Sequence, residues 1–429
     1  MIYDVIIVGG GASGLFSGAL LSGLKTLVLE KENKVGKKLL LTGAGQCNIT
    51  NRMDIKKFYE NYYEAKNFVK PILNAFTNED LIEYFERKNL KTITRDDGKV
   101  FPKSMNAKDV VEVLLKEIRK NKGEIKLNQR VNGIEEVYID KDFNILDEEE
   151  YENKKDYPHV DIKKIFKIYT NNNSYMAKNV IISVGGNSYQ NTGSCGDGYK
   201  ILNKLDLDIV DIKPALSPVI LRNYEFKDLS GLSFENAKIA IYEKDKKQKE
   251  FCGDLLFTHK GLSGPVIINN SRYFDSNMEI RINFLGVNEN IFRENFIIKL
   301  KNNPKKLIKN ILKEYDLSTR FVDKIINSLN LFNKTASNLK KEERAKLIHS
   351  VVDNHQIISS VQGYHLAMVT FGGLSRKEVN KKTLECKKIS NLYVLGETLD
   401  IDAKTGGFNL QFAFSSAYVA VKNIKEKYN

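Results

Sequence analysis

Asp4-Val5-Ile6-Ile7-Val8-Gly9-Gly10-Gly11-Ala12-Ser13-Gly14, running on to Thr26-Leu27-Val28-Leu29-Glu30, is the stretch that decides the fold. Residues 4–8 are apolar and rich in β-branched side chains, the pattern of a buried parallel strand. Leu15, Ala19, Leu20 and Leu24 then fall on one side of a helix. Thr26 to Leu29 is a second strand, and it ends in Glu30. The order is therefore strand, Gly9-x-Gly11-x-x-Gly14, helix, strand, acid, which is the layout of a dinucleotide-binding βαβ unit. Gly9 permits a sharp turn, Gly11 lets a pyrophosphate approach the backbone, and Gly14 lets the helix lie close on the strands. The helix N-terminus turns its free N–H groups and positive dipole end toward the phosphates. Glu30 is placed to accept hydrogen bonds from ribose hydroxyls.

The 429 residues are enough for two or three domains and a substantial core. The hydrophobic fraction of 42% is that of an ordinary soluble protein, and no apolar run approaches the roughly 18 residues a membrane span needs. Met1 leads straight into the first strand, so no signal peptide is expected. Cys47, Cys195, Cys252 and Cys386 are far apart and form no CxxC, which excludes a zinc site or disulfide framework of the usual spacing. A cytoplasmic protein with reduced thiols, and no metal, is the expectation. The formal net charge is +13, and it is clustered: residues 299–346 hold 13 Lys or Arg against 5 Asp or Glu. A basic face of this kind is the footprint of a polyanion partner, or else a solvated surface.

Small residues fill the next loop, Gly36 to Asn51, where Asn48, Thr50 and Asn51 can bond locally to backbone. Residues 54–91 and 109–120 read as amphipathic helices. Residues 124–184 read as short strands, among them one through Ile125, Leu127, Val131 and Ile134, and one at 179–184 that stops at Gly185-Gly186. The acidic stretch 140–156 reads as an exposed loop, since it lacks a regular calcium-liganding pattern. Residues 209–285 lose the strand–helix alternation and read as mostly β. A glycine-rich loop, 257–265, lies within them and carries His259. Residues 289–349 read as helical, with Pro304 at a helix start. Leu392-Tyr393-Val394-Leu395 is a strand closed by Gly396-Glu397, and a second glycine loop through Gly406-Gly407 leads to a last helix at 412–425. One nucleotide motif is N-terminal and the other C-terminal. The fold class expected is α/β: a discontinuous Rossmann-type FAD-binding domain with an inserted β domain and a small helical domain. The boundaries expected are 1–205 with 365–429, 206–287 with 350–364, and 288–349.

A single GxGxxG, with a second glycine loop near the end of the chain, suits FAD as resident cofactor. Reductases that also hold a pyridine nucleotide often carry two such motifs; here NAD(P)H is expected only as a passing reductant. The N–H groups after Gly406-Gly407 can face the flavin edge that becomes anionic on reduction.

Several segments resemble the BaiN-like (YhiN-like) FAD-dependent oxidoreductases. They are the loop from Thr42 to Asn51, Gly98 to Pro102, Gly185-Gly186-x-Ser188-Tyr189, Thr192-Gly193-Ser194-x-Gly196-Asp197-Gly198-Tyr199, Phe257 to Pro265, and Gly396 to Gln411. The chain departs from that family at Gln46, where Arg is usual, at Ala44, where Gly is frequent, and at Ala403, where Gly is common. The expected cofactor contacts are Gly9, Gly11, Ala12, Ser13 and Gly14, then Glu30 and Lys31. Lys38, Thr42, Gly43, Gly45 and Asn48 follow, then Val131, Gly185 and Gly186, and finally Asp402, Gly406, Gly407, Phe408, Asn409 and Leu410. The resemblance implies reduction of a conjugated C=C bond; the basic segment, as a candidate RNA contact, makes dihydrouridine formation in ribosomal RNA the first choice. Reduction of a steroid-like enone, oxidation of an amino ketone and a non-catalytic flavin protein are the alternatives. Cys47 is a candidate proton donor or else a packing residue, and His259 a candidate catalytic residue or else a locally bonded one. His159, His349, His355 and His365 show no metal spacing.

Overall fold

The computed structural model describes residues 1–142, 144–154 and 162–428. Most of the acidic stretch is among them: strand Ile145–Leu146 and helix Glu148–Lys154 occupy part of what the sequence suggested was loop. Asp156 and His159 lie outside the described residues. The chain forms two compact units, one of residues 1–213 with 368–429, the other of residues 214–367.

Among the described residues, the first unit is built on an eight-stranded sheet. Strand Ile2–Val8 is flanked in parallel by Thr26–Leu29 and Ser174–Ile182. Thr26–Leu29 pairs onward with Glu124–Lys126, again in parallel. Ser174–Ile182 is shared at its two ends. Val180 to Ile182 pairs in parallel with Leu392–Val394, while residues 174–177 pair antiparallel with Lys163–Thr170. That second branch continues into Val131–Ile139 and Ile145–Leu146. Val5 to Val8, Leu27 to Leu29 and Val180 to Ile182 are all buried, because helices cover the parallel part of the sheet. Helix Ala12–Leu20 packs against both Ala107–Lys120 and Phe408–Glu426. The span 54–91 is divided among several helices, including Lys66–Ala75 and Asn78–Arg87. The second of these opens on a capping box between Thr77 and Asp80.

The second unit is a closed six-stranded barrel of Val219–Leu221, Gly261–Ser263, Lys246–Phe257, Ser233–Glu243, Glu279–Asn283 and Asn354–Val361. Closure leaves no free sheet edge in the ring. Helices Glu289–Asn302, Ile308–Leu312, Thr319–Ser328 and Lys341–Val352 follow the fifth strand. They share the barrel's core: Phe321 lies 4.7 Å from Phe284 and 4.9 Å from Phe234, ring centre to ring centre. The helical segment, expected from sequence as a body of its own, is thus part of one compact unit with the barrel. Pro304 does not open a helix; it stands in the turn between Glu289–Asn302 and Ile308–Leu312.

Candidate active site

The cleft of the first unit opens at the carboxyl ends of Ile2–Val8, Thr26–Leu29 and Ser174–Ile182, where an open parallel sheet places its ligands. Gly9, Gly11, Ala12 and Ser13 line its floor. Gly11 is the N-cap of helix Ala12–Leu20 and has no side chain to bond the first-turn amides. A Cβ on Gly11 would meet nothing nearer than 4.0 Å, so no protein atom demands glycine there; the space lies open toward the cleft. Gly14 is different. A Cβ there would sit 1.9 Å from the Gly9 carbonyl oxygen, and Gly14 does not line the cleft. Gly9 has φ +101° and its Cβ would strike the Ser183 carbonyl at 2.7 Å.

Glu30 lines the cleft and is held by two amides: Gly10 N–H donates to Oε2 at 2.8 Å and Glu32 N–H to Oε1 at 2.9 Å. Burial pushes its carboxyl above the ordinary range, against the pull of those two amides and of Lys31. Each carboxylate oxygen keeps acceptor capacity for a ribose hydroxyl. Lys31 donates to Asp197 Oδ2 at 2.9 Å and to Cys195 Sγ at 2.8 Å, and Arg130 Nη1 reaches the same Asp197 oxygen at 2.6 Å. Burial alone would raise the Asp197 carboxyl; the hydrogen bonds from Lys31 and Cys195 and the two cations outweigh it and hold it below the ordinary value. Val131 lines the cleft beside Arg130.

Lys38, Thr42 and Gly185 also line the cleft, and so do Asn409 and Leu410. The last helix begins at Phe408, four residues earlier than its apolar pattern suggested, with Gly407 as N-cap at φ +97°. Asn409 pins the preceding loop, accepting from Ala403 N–H at 2.9 Å and donating to the Ala403 carbonyl at 2.8 Å.

Several expected contacts stand behind the wall instead. With its side-chain amide turned so that the oxygen faces Gly407, Asn48 accepts from Gly407 N–H at 3.0 Å and donates to the Thr50 carbonyl at 2.8 Å, tying the two glycine loops together. Gly407 lacks a side chain because a Cβ would lie 2.6 Å from the Thr50 carbonyl. Gly43 and Gly45 take left-handed backbone in the turn between them, as does Ala44 at φ 55°. Gly406 backs onto the Phe408 ring, Phe408 and Asp402 are buried, and none of the three lines the cleft. Gly186 is absent from the lining too: its missing side chain makes room for Thr370 and Glu397.

The two candidate catalytic residues belong to different units. Cys47 is fully buried in the core of the first unit, does not line the cleft, and burial pushes its thiol up to about 12. That geometry supports the packing role. His259 belongs to the second unit, exposed in the tight turn between Lys246–Phe257 and Gly261–Ser263. Glu397, Arg130 and Asp197 line the cleft but were not singled out as cofactor contacts from sequence. For Glu397 the signal was there, since it follows a strand and a glycine much as Glu30 follows its strand. Arg130 and Asp197, 67 positions apart, meet only through the fold.

A Rossmann-type sheet with an open glycine turn, an acid at the second strand end and a second uncapped helix start defines an FAD-dependent oxidoreductase. The chain belongs to the HI0933-like family: the description "HI0933-like protein Rossmann domain" matches residues 3–423. It is 29% identical over 426 residues to a ribosomal RNA dihydrouridine synthase of Haemophilus influenzae, covering 98% of each chain. It is 27% identical over 433 residues to a 3-dehydro-bile acid delta(4,6)-reductase of Clostridium scindens, again covering 98% of each. Among solved structures it is similar to a 3-ketosteroid delta1-dehydrogenase of Sterolibacterium denitrificans, with a TM-score of 0.49 and 13% identity over 99% of this chain and all of that one.

Proposed function

We propose that the protein reduces a uracil C5–C6 double bond in ribosomal RNA, with FAD held in the cleft of the first unit and NAD(P)H as the reductant. FAD supplies hydride at one carbon; a proton must reach the next. The chain's own part is to hold the dinucleotide. The Gly9–Gly14 turn and the first-turn amides of Ala12 and Ser13 take the pyrophosphate, Glu30 the ribose, and the start of the last helix the flavin edge. The observation that carries the substrate reading is the end-to-end match to a relative named for dihydrouridine synthesis. The test is mass analysis of ribosomal RNA from cells with and without the gene. Loss of one dihydrouridine, restored by the gene, supports the reading; an unchanged profile overturns it.

A second reading, reduction of a small conjugated enone, has its own support in the bile-acid reductase relative. It also gains from the charge pattern of 299–346. Lys299 and Lys306 both pair with Glu314, Lys309 with Asp323, Lys324 with Asp228 and Lys334 with Glu343. Those cations are spent within the second unit, which lowers the number free for phosphate. NADPH oxidation by the purified protein, with an RNA fragment or with a Δ4,6-3-ketosteroid, separates the two.

A further inference from the structure

Glu397 and Lys38 face the cleft as members of a closed ring of three polar side chains. Glu397 Oε2 accepts from Lys38 Nζ at 2.7 Å, Glu397 Oε1 accepts from Ser188 Oγ at 3.0 Å, and Lys38 Nζ donates to Ser188 Oγ at 2.5 Å. The ring is anchored on backbone, because Thr370 N–H donates to Glu397 Oε1 at 2.8 Å and Asn187 N–H to Thr370 Oγ1 at 2.7 Å. Ser188 is fully buried. The notch that admits the ring is Gly186, where a Cβ would lie 2.4 Å from Thr370 Oγ1 and 3.0 Å from Glu397 Oε1. Two of the three N–H donors of Lys38 are committed in this way, which fixes the ammonium in place.

The strand order says which part of a dinucleotide this ring would meet. Across the sheet the strands run Thr26–Leu29, Ile2–Val8, Ser174–Ile182, Leu392–Val394. With ribose on Glu30 at the first and pyrophosphate on the glycine turn at the second, the flavin half would fall to the residues that follow the third and fourth. Gly185 follows the third and Glu397 the fourth.

Given FAD in the cleft, as proposed for the function, we propose that Lys38 is the cation that biases the bound flavin toward its reduced, anionic form, and that Glu397 and Ser188 are positioning residues that hold it there. An ammonium fixed beside the ring favours the form that carries more negative charge. Glu397 opposes part of that effect while it sets the geometry.

The experiment is a reductive titration of the FAD-loaded protein against dyes of known potential, for the parent and for Lys38→Met, Lys38→Arg, Glu397→Gln and Ser188→Ala. Lys38→Met should lower the midpoint potential, with a tenfold loss of preference for reduced flavin appearing as about 30 mV for a two-electron couple. Lys38→Arg should restore most of it. Glu397→Gln should move the potential up, since a negative charge leaves while Ser188 still holds the ammonium. Opposite signs for these two variants, with FAD retained, support the proposal. An unchanged potential in Lys38→Met, or shifts of the same sign, overturns it. If Lys38→Met fails to retain FAD, the Glu397→Gln and Ser188→Ala potentials decide in the same way, and no change in both overturns it. A parent protein that holds no FAD overturns the cofactor reading and this inference with it.

Discussion

Gly11 and Gly14 belong to one motif and are glycine for different reasons, which makes them separable. Gly11→Ala adds a methyl to space with no protein atom nearer than 4.0 Å, so the variant stripped of FAD should melt at the temperature of the stripped parent, and it should lose FAD affinity about tenfold or more, the scale of one to a few kcal/mol. Gly14→Ala drives a methyl to 1.9 Å from the Gly9 carbonyl and should destabilise the fold itself by roughly 1–3 kcal/mol, read by urea denaturation. Cys47 yields a pH-dependent expectation. Its thiol moves from an ordinary 9.0 to about 12 in the folded chain, so between those values the unfolded state binds fewer protons and folding weakens as pH rises. The loss from this one proton is at most about 1.4 kcal/mol per pH unit, and none of it is felt below pH 9. Cys47→Ala should therefore cost stability at pH 8 and close the gap with the parent toward pH 10.5, in paired denaturation curves, with turnover at pH 7.5 near the parent's. Two roles stayed open for Cys47 at the level of sequence, because a thiol in a glycine loop reads alike whether it faces the cofactor or the core. In the fold, left-handed backbone at Gly43, Ala44, Gly45 and Cys47 shapes the turn, and the Cys47 side chain is buried in the core.

The C-terminal helix and the glycine loop at 42–48 form a single working element, although some 360 positions separate them. Asn48 holds Gly407, Thr50 donates to Gln411 at 2.6 Å, and Tyr62 donates to the Phe408 carbonyl at 2.7 Å. Asn48→Ala leaves the Gly407 N–H and the Thr50 carbonyl without this partner. It should cost about 1–3 kcal/mol by denaturant titration and weaken FAD in parallel, because the helix start that faces the cleft loses its tether. Elements of this kind mark the limit of sequence reading. The strands at 2–8 and 26–29 were legible because burial on both faces writes itself as an unbroken apolar run. The start of the last helix was not, because Phe408, Asn409 and Leu410 follow two glycines and resemble loop until Gly407 is seen to cap them. Pro304 misled for a related reason, since proline is as much at home in a turn as at the first position of a helix.

For the whole molecule, charge is where composition and structure diverge. The cluster at 299–346 is real, yet several of its lysines are neutralised by Glu314, Asp323, Asp228 and Glu343, which arrive from neighbouring turns and from outside the segment. Lys301, Lys305 and Lys313 are exposed and carry the test of RNA binding. Changing all three to Glu should flatten the dependence of RNA affinity on salt by about 0.7 in log–log slope for each phosphate no longer neutralised, and leave FAD content as in the parent. Equal slopes for variant and parent would mean the segment is a solvated surface. The division of the chain has a further consequence, for the order in which it is made. On the ribosome, residues 1–213 emerge with the Val180–Ile182 edge unpaired and without the helix that covers Ala12–Leu20. Their partners at 392–394 and 408–426 are translated roughly ten to forty seconds later, at about 5–20 residues per second. During that interval the barrel can complete itself, while the nascent nucleotide fold waits with apolar surface bare, and slower elongation lengthens that exposure. Nonsense codons near the 3′ end of the message should consequently yield insoluble, colourless product rather than a shortened enzyme.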